Sequence, residues 1–399
     1  MRRRCELITA VVLLATVCLE RSDLNAQPVN SQDLRIRGAG RAVHDDFRVA
    51  DGAVVDDATV ILVGSTDGPE DAHERDLNAN GWIVDLTKKS PRRRFTNGQT
   101  APLVSVAVGH GMVATTSTTL DPVLRVSDLK SGKAVAEVSL AEPDRFGNAT
   151  RSFHARWLHR SARLAVLVDK HIQLLDPKAP TDRTHYRLGN VVDGLLFADL
   201  AVAPDDARIA CAARFQPPGS EERLDGVLVW TVGRENPVAV STVPTKAERP
   251  ADWRTGGITI GARGDIVAKR GDSQIEVPKG TAEKDVPAGR RGVVRIDPVG
   301  KSCVPTGMGT TYHTIRCAFD PTGRWLAVVG SAHADGPAPK DDTFASELRV
   351  YEFATARLVH REQVFARMAL SWVAFSPSGK RLCAATGNGT LHWWDVDGL

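Results

Sequence analysis

The segment Asp76-Leu-Asn78-Ala-Asn80-Gly81 places side-chain oxygens at alternate positions ahead of a glycine. That spacing is the first half of a calcium loop, where hard oxygen ligands surround the ion and glycine permits the sharp turn. A bidentate Glu would complete such a loop at position 87, where Thr87 stands. Asp76, Asn78 and Asn80 therefore read as an Asx-rich turn, with calcium the weaker alternative. Two acidic groups follow from charge rather than motif: Asp67, Glu70, Asp71 and Glu74 in one stretch, and Asp335, Asp341 and Asp342 in another. Acids crowded this way either keep a loop solvated or steer a basic partner onto it. The eleven histidines are scattered, with no pair at a metal-ligand spacing within one element. The chain has no Gly-x-Ser-x-Gly elbow, His-Glu-x-x-His, Cys-x-x-Cys-His or Walker loop. The expected catalytic set is empty, and neither cofactor nor metal is expected.

Short alternating runs of Val, Ile, Leu, Ala and Thr, broken by Gly, Pro, Asp and Asn, predict strands rather than helices. One strand ending recurs: apolar, any, apolar, any, acid. It is found at Gly81-Trp-Ile-Val-Asp85, Leu124-Arg-Val-Ser-Asp128, Ile172-Gln-Leu-Leu-Asp176, Val227-Leu-Val-Trp-Thr231, Val293-Val-Arg-Ile-Asp297, Leu348-Arg-Val-Tyr-Glu352 and Leu391-His-Trp-Trp-Asp395. Gly81 and Thr231 depart from the pattern. The two apolar positions of each copy share one strand face, because side chains alternate with a period of two. Strand–turn–strand signals precede the endings, clearest in Cys317-Ala-Phe-Asp-Pro-Thr-Gly323 and Leu200-Ala-Val-Ala-Pro-Asp-Asp206, where Pro presets φ and Gly accepts positive φ. A further strand follows six of the seven endings. The repeating unit is thus four strands.

The last unit, Val373-Ala-Phe-Ser-Pro-Ser-Gly379 through Trp394-Asp395, resembles a WD40 repeat, and copies spaced 43 residues apart agree with that family's period. The resemblance implies an all-β fold, a seven-bladed β-propeller of four-stranded antiparallel blades, with blades near 45–98, 101–140, 151–190, 195–245, 251–307, 313–364 and 366–399. The match is degenerate. Gly109-His110, the chain's one Gly-His pair, falls in a turn rather than at a repeat opening, and Asn388 stands where the family usually has Asp. The last unit ends at Leu399, four residues past its acid, so residues 27–44 are expected to supply its outer strand.

Strand polarity puts the connections between second and third strands on one face of such a ring. The long ones are 66–80, 213–226, 271–292 and 331–347, and three of these carry a combined charge of −8. An acidic recognition face through Asp67, Glu70, Asp71, Glu74, Asp335, Asp341 and Asp342 is the expected binding site. First-strand positions look mostly small or apolar, which predicts an axis without much polar chemistry. Three or more converging acids or histidines there would instead point to an enzyme or small-molecule binder, lactonase-like or sugar-hydrolase-like.

Residues 1–26 read separately. Arg2-Arg3-Arg4, an apolar run from Leu7 to Leu19 and Leu24-Asn25-Ala26 before Gln27 form a secretory signal too short for a comfortable membrane span. Without it the net charge falls from +3 to +2, since Arg2, Arg3, Arg4 and Arg21 leave with Glu6, Glu20 and Asp23. So small a surplus supplies no field for nucleic acid. Cys211, Cys303, Cys317 and Cys383 remain, three of them in apolar runs, and are expected to act as small hydrophobes. The expected protein is an exported monomer, periplasmic, cell-envelope or extracellular, that binds a protein or peptide, possibly basic, as a scaffold.

Overall fold

A computed structural model describes residues 34–42, 47–66, 79–88, 92–95, 103–117, 123–140, 152–168, 171–187, 199–216, 221, 224–243, 253–272, 291–310, 313–332 and 344–398. The strands between Arg35 and Asp397 lie in one compact unit. The described residues form 28 strands and no helix.

Strand β1 (Arg35–Ala42) comes first. Blade 1 is β2 (Phe47–Asp56), β3 (Thr59–Thr66), β4 (Ala79–Asp85) and β5 (Arg92–Phe95). Blade 2 is β6 (Leu103–Gly109), β7 (Met112–Ser117), β8 (Val123–Asp128) and β9 (Ala134–Ser139). Blade 3 is β10 (Ser152–Trp157), β11 (Leu164–Val168), β12 (His171–Asp176) and β13 (Ala179–Arg187). Blade 4 is β14 (Leu200–Val202), β15 (Arg208–Phe215), β16 (Leu224–Thr231) and β17 (Val238–Ser241). Blade 5 is β18 (Trp253–Ile260), β19 (Ile266–Asp272), β20 (Arg291–Asp297) and β21 (Ser302–Pro305). Blade 6 is β22 (His313–Phe319), β23 (Trp325–Ser331), β24 (Phe344–Glu352) and β25 (Arg357–Ala366). Blade 7 is β26 (Leu370–Phe375), β27 (Arg381–Thr386) and β28 (Leu391–Asp397), with β1 as its outer strand.

The sheets of blades 1 to 6 are antiparallel meanders; in blade 7, β1 pairs antiparallel with β28 from Arg35–Asp397 to Ala42–Leu391. The innermost strands touch in sequence, β2 to β6, β10, β14, β18, β22, β26 and back to β2, so the ring is closed. The chain is a seven-bladed β-propeller. Second strands such as β7, β11 and β23 are buried almost throughout, because neighbouring blades cover both their faces. Hence β11 is a continuous apolar run and β23 nearly one, and β7 adds only the small polar Thr115, Thr116 and Ser117. Outer strands β9 and β21 are mostly exposed and correspondingly mixed.

The cores lie between blades. Leu167, Ile172 and Tyr186 of blade 3 meet Ile209, Cys211 and Trp230 of blade 4, and Leu62 and Val84 of blade 1 meet Trp372 and Trp393 of blade 7. Alternation sends the paired tryptophans of β28 apart. Trp393 enters the blade 1 core, whereas Trp394 is 1% exposed and donates its indole N–H to Glu362 of blade 6 at 2.7 Å. Cys211, Cys317 and Cys383 are buried free thiols, and burial pushes the last two up to about 12.

Turns lock neighbouring blades together at one end of the ring. Asp206, in the first turn of blade 4 with φ of 62°, accepts backbone N–H bonds from His159, Arg160 and Ser161 of blade 3. Asp57 of blade 1 accepts hydroxyl bonds from Ser376 and Ser378 of blade 7. Two tryptophan side chains pack closely against glycine backbone across blade boundaries. A Cβ on Gly52 would come within 2.7 Å of the Trp372 ring, and one on Gly109 within 2.7 Å of Trp157.

Two acids counted above with the long connections belong to strands. Asp225 is on β16 and pairs with Arg214 at 2.7 Å; Glu347 is fully buried on β24 between Arg349 and Arg361. Each is held by a cross-strand or same-face cation, so neither adds to a solvated acidic face.

Candidate functional site

The inner strands converge on a polar axis, which corrects the expectation of small and apolar positions there. Four of them carry the same local pattern, a polar residue ahead of two small or apolar residues and a third: Asp51-Gly-Ala-Val, Ser105-Val-Ala-Val, Asp199-Leu-Ala-Val and Arg316-Cys-Ala-Phe. Blade 3 contributes His154 and Arg156 on β10. Within a single repeat such a residue reads as one polar exception in an apolar strand. Its partners sit on other blades, 43 to 265 positions away along the chain, and nothing local announces them.

The charges alternate around the axis. The Arg156 guanidinium lies 3.0 Å from Asp51 and 3.9 Å from Asp199; that of Arg316 lies 3.6 Å from Asp51 and 3.8 Å from Asp199. Blades 1, 3, 4 and 6 are thereby tied together. Asp51 Oδ2 also accepts from the Ser105 hydroxyl at 3.1 Å and the Val106 N–H at 3.2 Å. Arg156 spends Nη1 on Asp51, on the Ser105 hydroxyl and on the Ala155 carbonyl at 2.9 Å. Arg316 differs. Its distances to both carboxylates exceed hydrogen-bond range, so charge holds it in place and its N–H donors remain unspent among the described residues.

Burial alone would raise both carboxyls. For Asp51 the charges of Arg156, Arg316 and His154 outweigh it, and for Asp199 those of Arg316, His154 and Arg156 do the same, so both are held below the usual carboxylate range. On His154 burial itself acts downward, and it brings the imidazole to about 4. Its Nδ1 is buried without a hydrogen-bond partner among the described residues.

Blade 5 is thin at this level. Gly256 and Gly257 occupy β18 where its pairing with β19 shifts register, and Gly257 has φ of 54°. A Cβ at Gly257 would lie 3.2 Å from the Arg316 Cα and 3.5 Å from the Lys269 Cγ. The glycines let Lys269, on the second strand, approach the same group. Burial and the nearby Arg316 charge lower its ammonium pKa, with Asp199 acting against them.

Above this charged floor is a cavity of about 660 Å³ that runs to the turns between first and second strands. All seven blades line it. Its walls are apolar: Ala53, Val106, Leu158, Val202, Ile260, Phe319 and Phe375, with the rings of Trp157 and Trp372. The floor presents Arg156, Asp199 and Arg316, and the rim carries His110, His159, Pro204, Ala262, Pro321 and Pro377. The funnel thus opens at the ring end away from the connections between second and third strands.

Among the sequence-derived candidates, Asp67, Glu70, Asp71, Glu74, Asp76, Asn78, Asp335, Asp341 and Asp342 lie outside the described residues. Asn80 falls on β4, opposite Gly64. The described residues contain no group of three or more His, Cys, Asp or Glu able to hold a metal. Among them, no helix is long and apolar enough to cross a membrane. Three groups of the kind expected for a catalytic axis, Asp51, Asp199 and His154, do converge, and sequence reasoning missed all of them along with Arg156 and Arg316. No protein-family model and no curated protein matches the chain.

Proposed function

We propose that the protein is a binding propeller of WD40-like type, exported from the cytoplasm, whose partner is a protein or peptide. The observation that carries this reading is the state of the axial charges. Each carboxylate faces two guanidiniums, so at neutral pH both are ionised and engaged with fixed cations. A general base works best with a pKa near the operating pH. Asp51 and Asp199 are held below the carboxylate range, and His154 near 4 is mostly neutral but weakly basic. What such an axis does well is hold a rigid ring in register and present its two faces.

The acidic connections of blades 1 and 6 supply one candidate face. Asp67, Glu70, Asp71, Glu74, Asp335, Asp341 and Asp342 would flank blade 7, whose own second-to-third-strand connection is the tight Gly387-Asn388-Gly389. A basic segment suits that saddle. The funnel is the candidate on the other face. Chemical cross-linking of the purified protein in a native envelope extract, followed by mass spectrometry, tests the reading. A partner cross-linked reproducibly to one face is the expected result.

A second reading, hydrolysis of a small substrate in the funnel, is favoured by one observation: Asp51, Asp199 and His154 converge beneath it. Turnover of lactone or ester substrates that disappears in His154→Gln would establish that reading and overturn the first.

A further inference from the structure

We propose that the axial funnel binds the C-terminus of an extended apolar peptide, its terminal carboxylate seated on the guanidiniums of Arg156 and Arg316. The inference deepens the peptide-binding reading and rests on it.

The floor is asymmetric in what it shows a ligand. The Asp51 and Asp199 side chains are 0% and 6% exposed, whereas those of Arg156 and Arg316 are 24% and 21% exposed. A molecule reaching the floor therefore meets N–H donors before carboxylate oxygens. The charge count agrees. Two aspartates balance two arginines, and Lys269, which has no ion-pair partner among the described residues, adds one positive charge. One incoming carboxylate neutralises the set. Arg316 is the natural anchor: its planar fork suits a bidentate carboxylate, and its donors are unspent on Asp51 and Asp199 at 3.6 and 3.8 Å.

The rest of the ligand must be apolar and must carry a backbone. Val106, Val202, Ile260 and Phe319 offer the walls no charge to pair with. Each inner strand is the edge of its sheet, paired on one side alone. Neighbouring blades take several of the outward groups, among them the Val106 N–H on Asp51 and the Gly52 and Ala107 carbonyls under Trp372 and Trp157; the groups that remain can bond a peptide backbone and not an alkyl chain. The volume of about 660 Å³ lies within the range of ordinary ligand pockets. A funnel with its charge at the inner end selects a chain terminus, inserted carboxylate first.

The test uses the intact mature protein and the fluorescence of Trp157 and Trp372, both of which line the funnel. An apolar pentapeptide of Ala, Val and Leu with a free C-terminal carboxylate is titrated against its C-terminal amide and against decanoate. The free-acid peptide is expected to bind at least tenfold more tightly than the amide. Arg316→Gln, with folding checked by circular dichroism, is expected to erase that preference. Because removal of Arg316 could unfold the axis, a second variant places a charge at the exposed rim. Ala262→Asp is expected to weaken the free-acid peptide more than the amide, with the difference fading at high salt. Equal affinity for acid and amide, no binding of either, or a preference that survives Arg316→Gln would each overturn the proposal. Binding of decanoate without the peptide would overturn it too, by making the ligand a free amphiphilic acid. None of these outcomes alters the cross-linking result, so the broader binding reading fails or stands separately.

Discussion

The axial residues set the acid sensitivity of the molecule. His154 titrates near 6.5 when unfolded and at about 4 when folded. Between those values the unfolded chain binds more protons, so stability falls as pH drops from 6.5 toward 4, by on the order of 1 kcal/mol per pH unit. Asp51 and Asp199 act in a lower window. Their folded pKa values are depressed below 3.8, so their contribution is present above that value and lost as pH falls through the folded values. Urea unfolding at pH 7, 5.5 and 4.5 should show a declining midpoint, and His154→Gln should flatten the decline. Asp51→Asn should cost about 3–5 kcal/mol at pH 7, because it leaves Arg156 and Arg316 to share one carboxylate. A loss under about 1 kcal/mol in the same assay would mean that solvent already screens these pairs. Trp394 is the corresponding test away from the axis. Its ring is buried against blade 6, and Trp394→Ala should cost about 3–5 kcal/mol.

At the level of elements, the ring depends on two kinds of joint. The first is the seam at blade 7, where β1 supplies the outer strand on β28. Without β1 the hydrogen-bonding edge of β28 would be open, and open edges pair with other chains. Deleting residues 27–43 should lower the melting temperature and produce concentration-dependent aggregation by light scattering. An unchanged melting curve would mean that the seam carries little of the stability. The second joint is the contact of Trp157 and Trp372 with glycine backbone on the preceding or following blade. The Trp372 indole donates to the Gly52 carbonyl at 3.0 Å, and that of Trp157 to the Ala107 carbonyl at 3.2 Å. Gly52→Ala and Gly109→Ala force a methyl into those rings and should each cost about 1–3 kcal/mol by overpacking. Gly132→Ala is a contrast, since no atom lies within 4 Å of its added Cβ and its φ of 71° is the source of strain there.

Across the whole molecule, the two ends of the ring offer different chemistry. One end has the funnel, apolar in wall and cationic at its base. The other carries connections that are acidic in sequence. A partner on the acidic end should associate quickly and weaken as salt rises, because exposed charges are screened beyond about 8 Å at physiological ionic strength. Replacing Asp67, Glu70, Asp71, Asp335, Asp341 and Asp342 with neutral isosteres should reduce both affinity and its salt dependence, measured by surface plasmon resonance against the cross-linked partner. Unaltered binding in that variant would move the partner to the funnel end. The proposed export makes its own prediction: N-terminal sequencing of protein recovered from the envelope or medium should begin at Gln27.

The sequence by itself determined the repeat. Seven strand endings in register required seven sheets, since the period-two alternation in each copy specifies which face is buried. It also pointed to the N-terminal segment as the outer strand of the last unit, required Trp393 and Trp394 to face opposite ways, and put His110 in a turn. These features are written in neighbouring residues. What only the tertiary structure decided is the axis. Asp51, Arg156, Asp199 and Arg316 each look like an ordinary polar residue of a short strand. Burying any one of them alone is costly. Ring closure brings two acids and two arginines within 4 Å of one another, and the pairing that offsets the cost exists only between blades. Asp225 and Glu347 follow the same logic: each sits beside a long polar connection in sequence, and only the strand register shows the arginines that hold it.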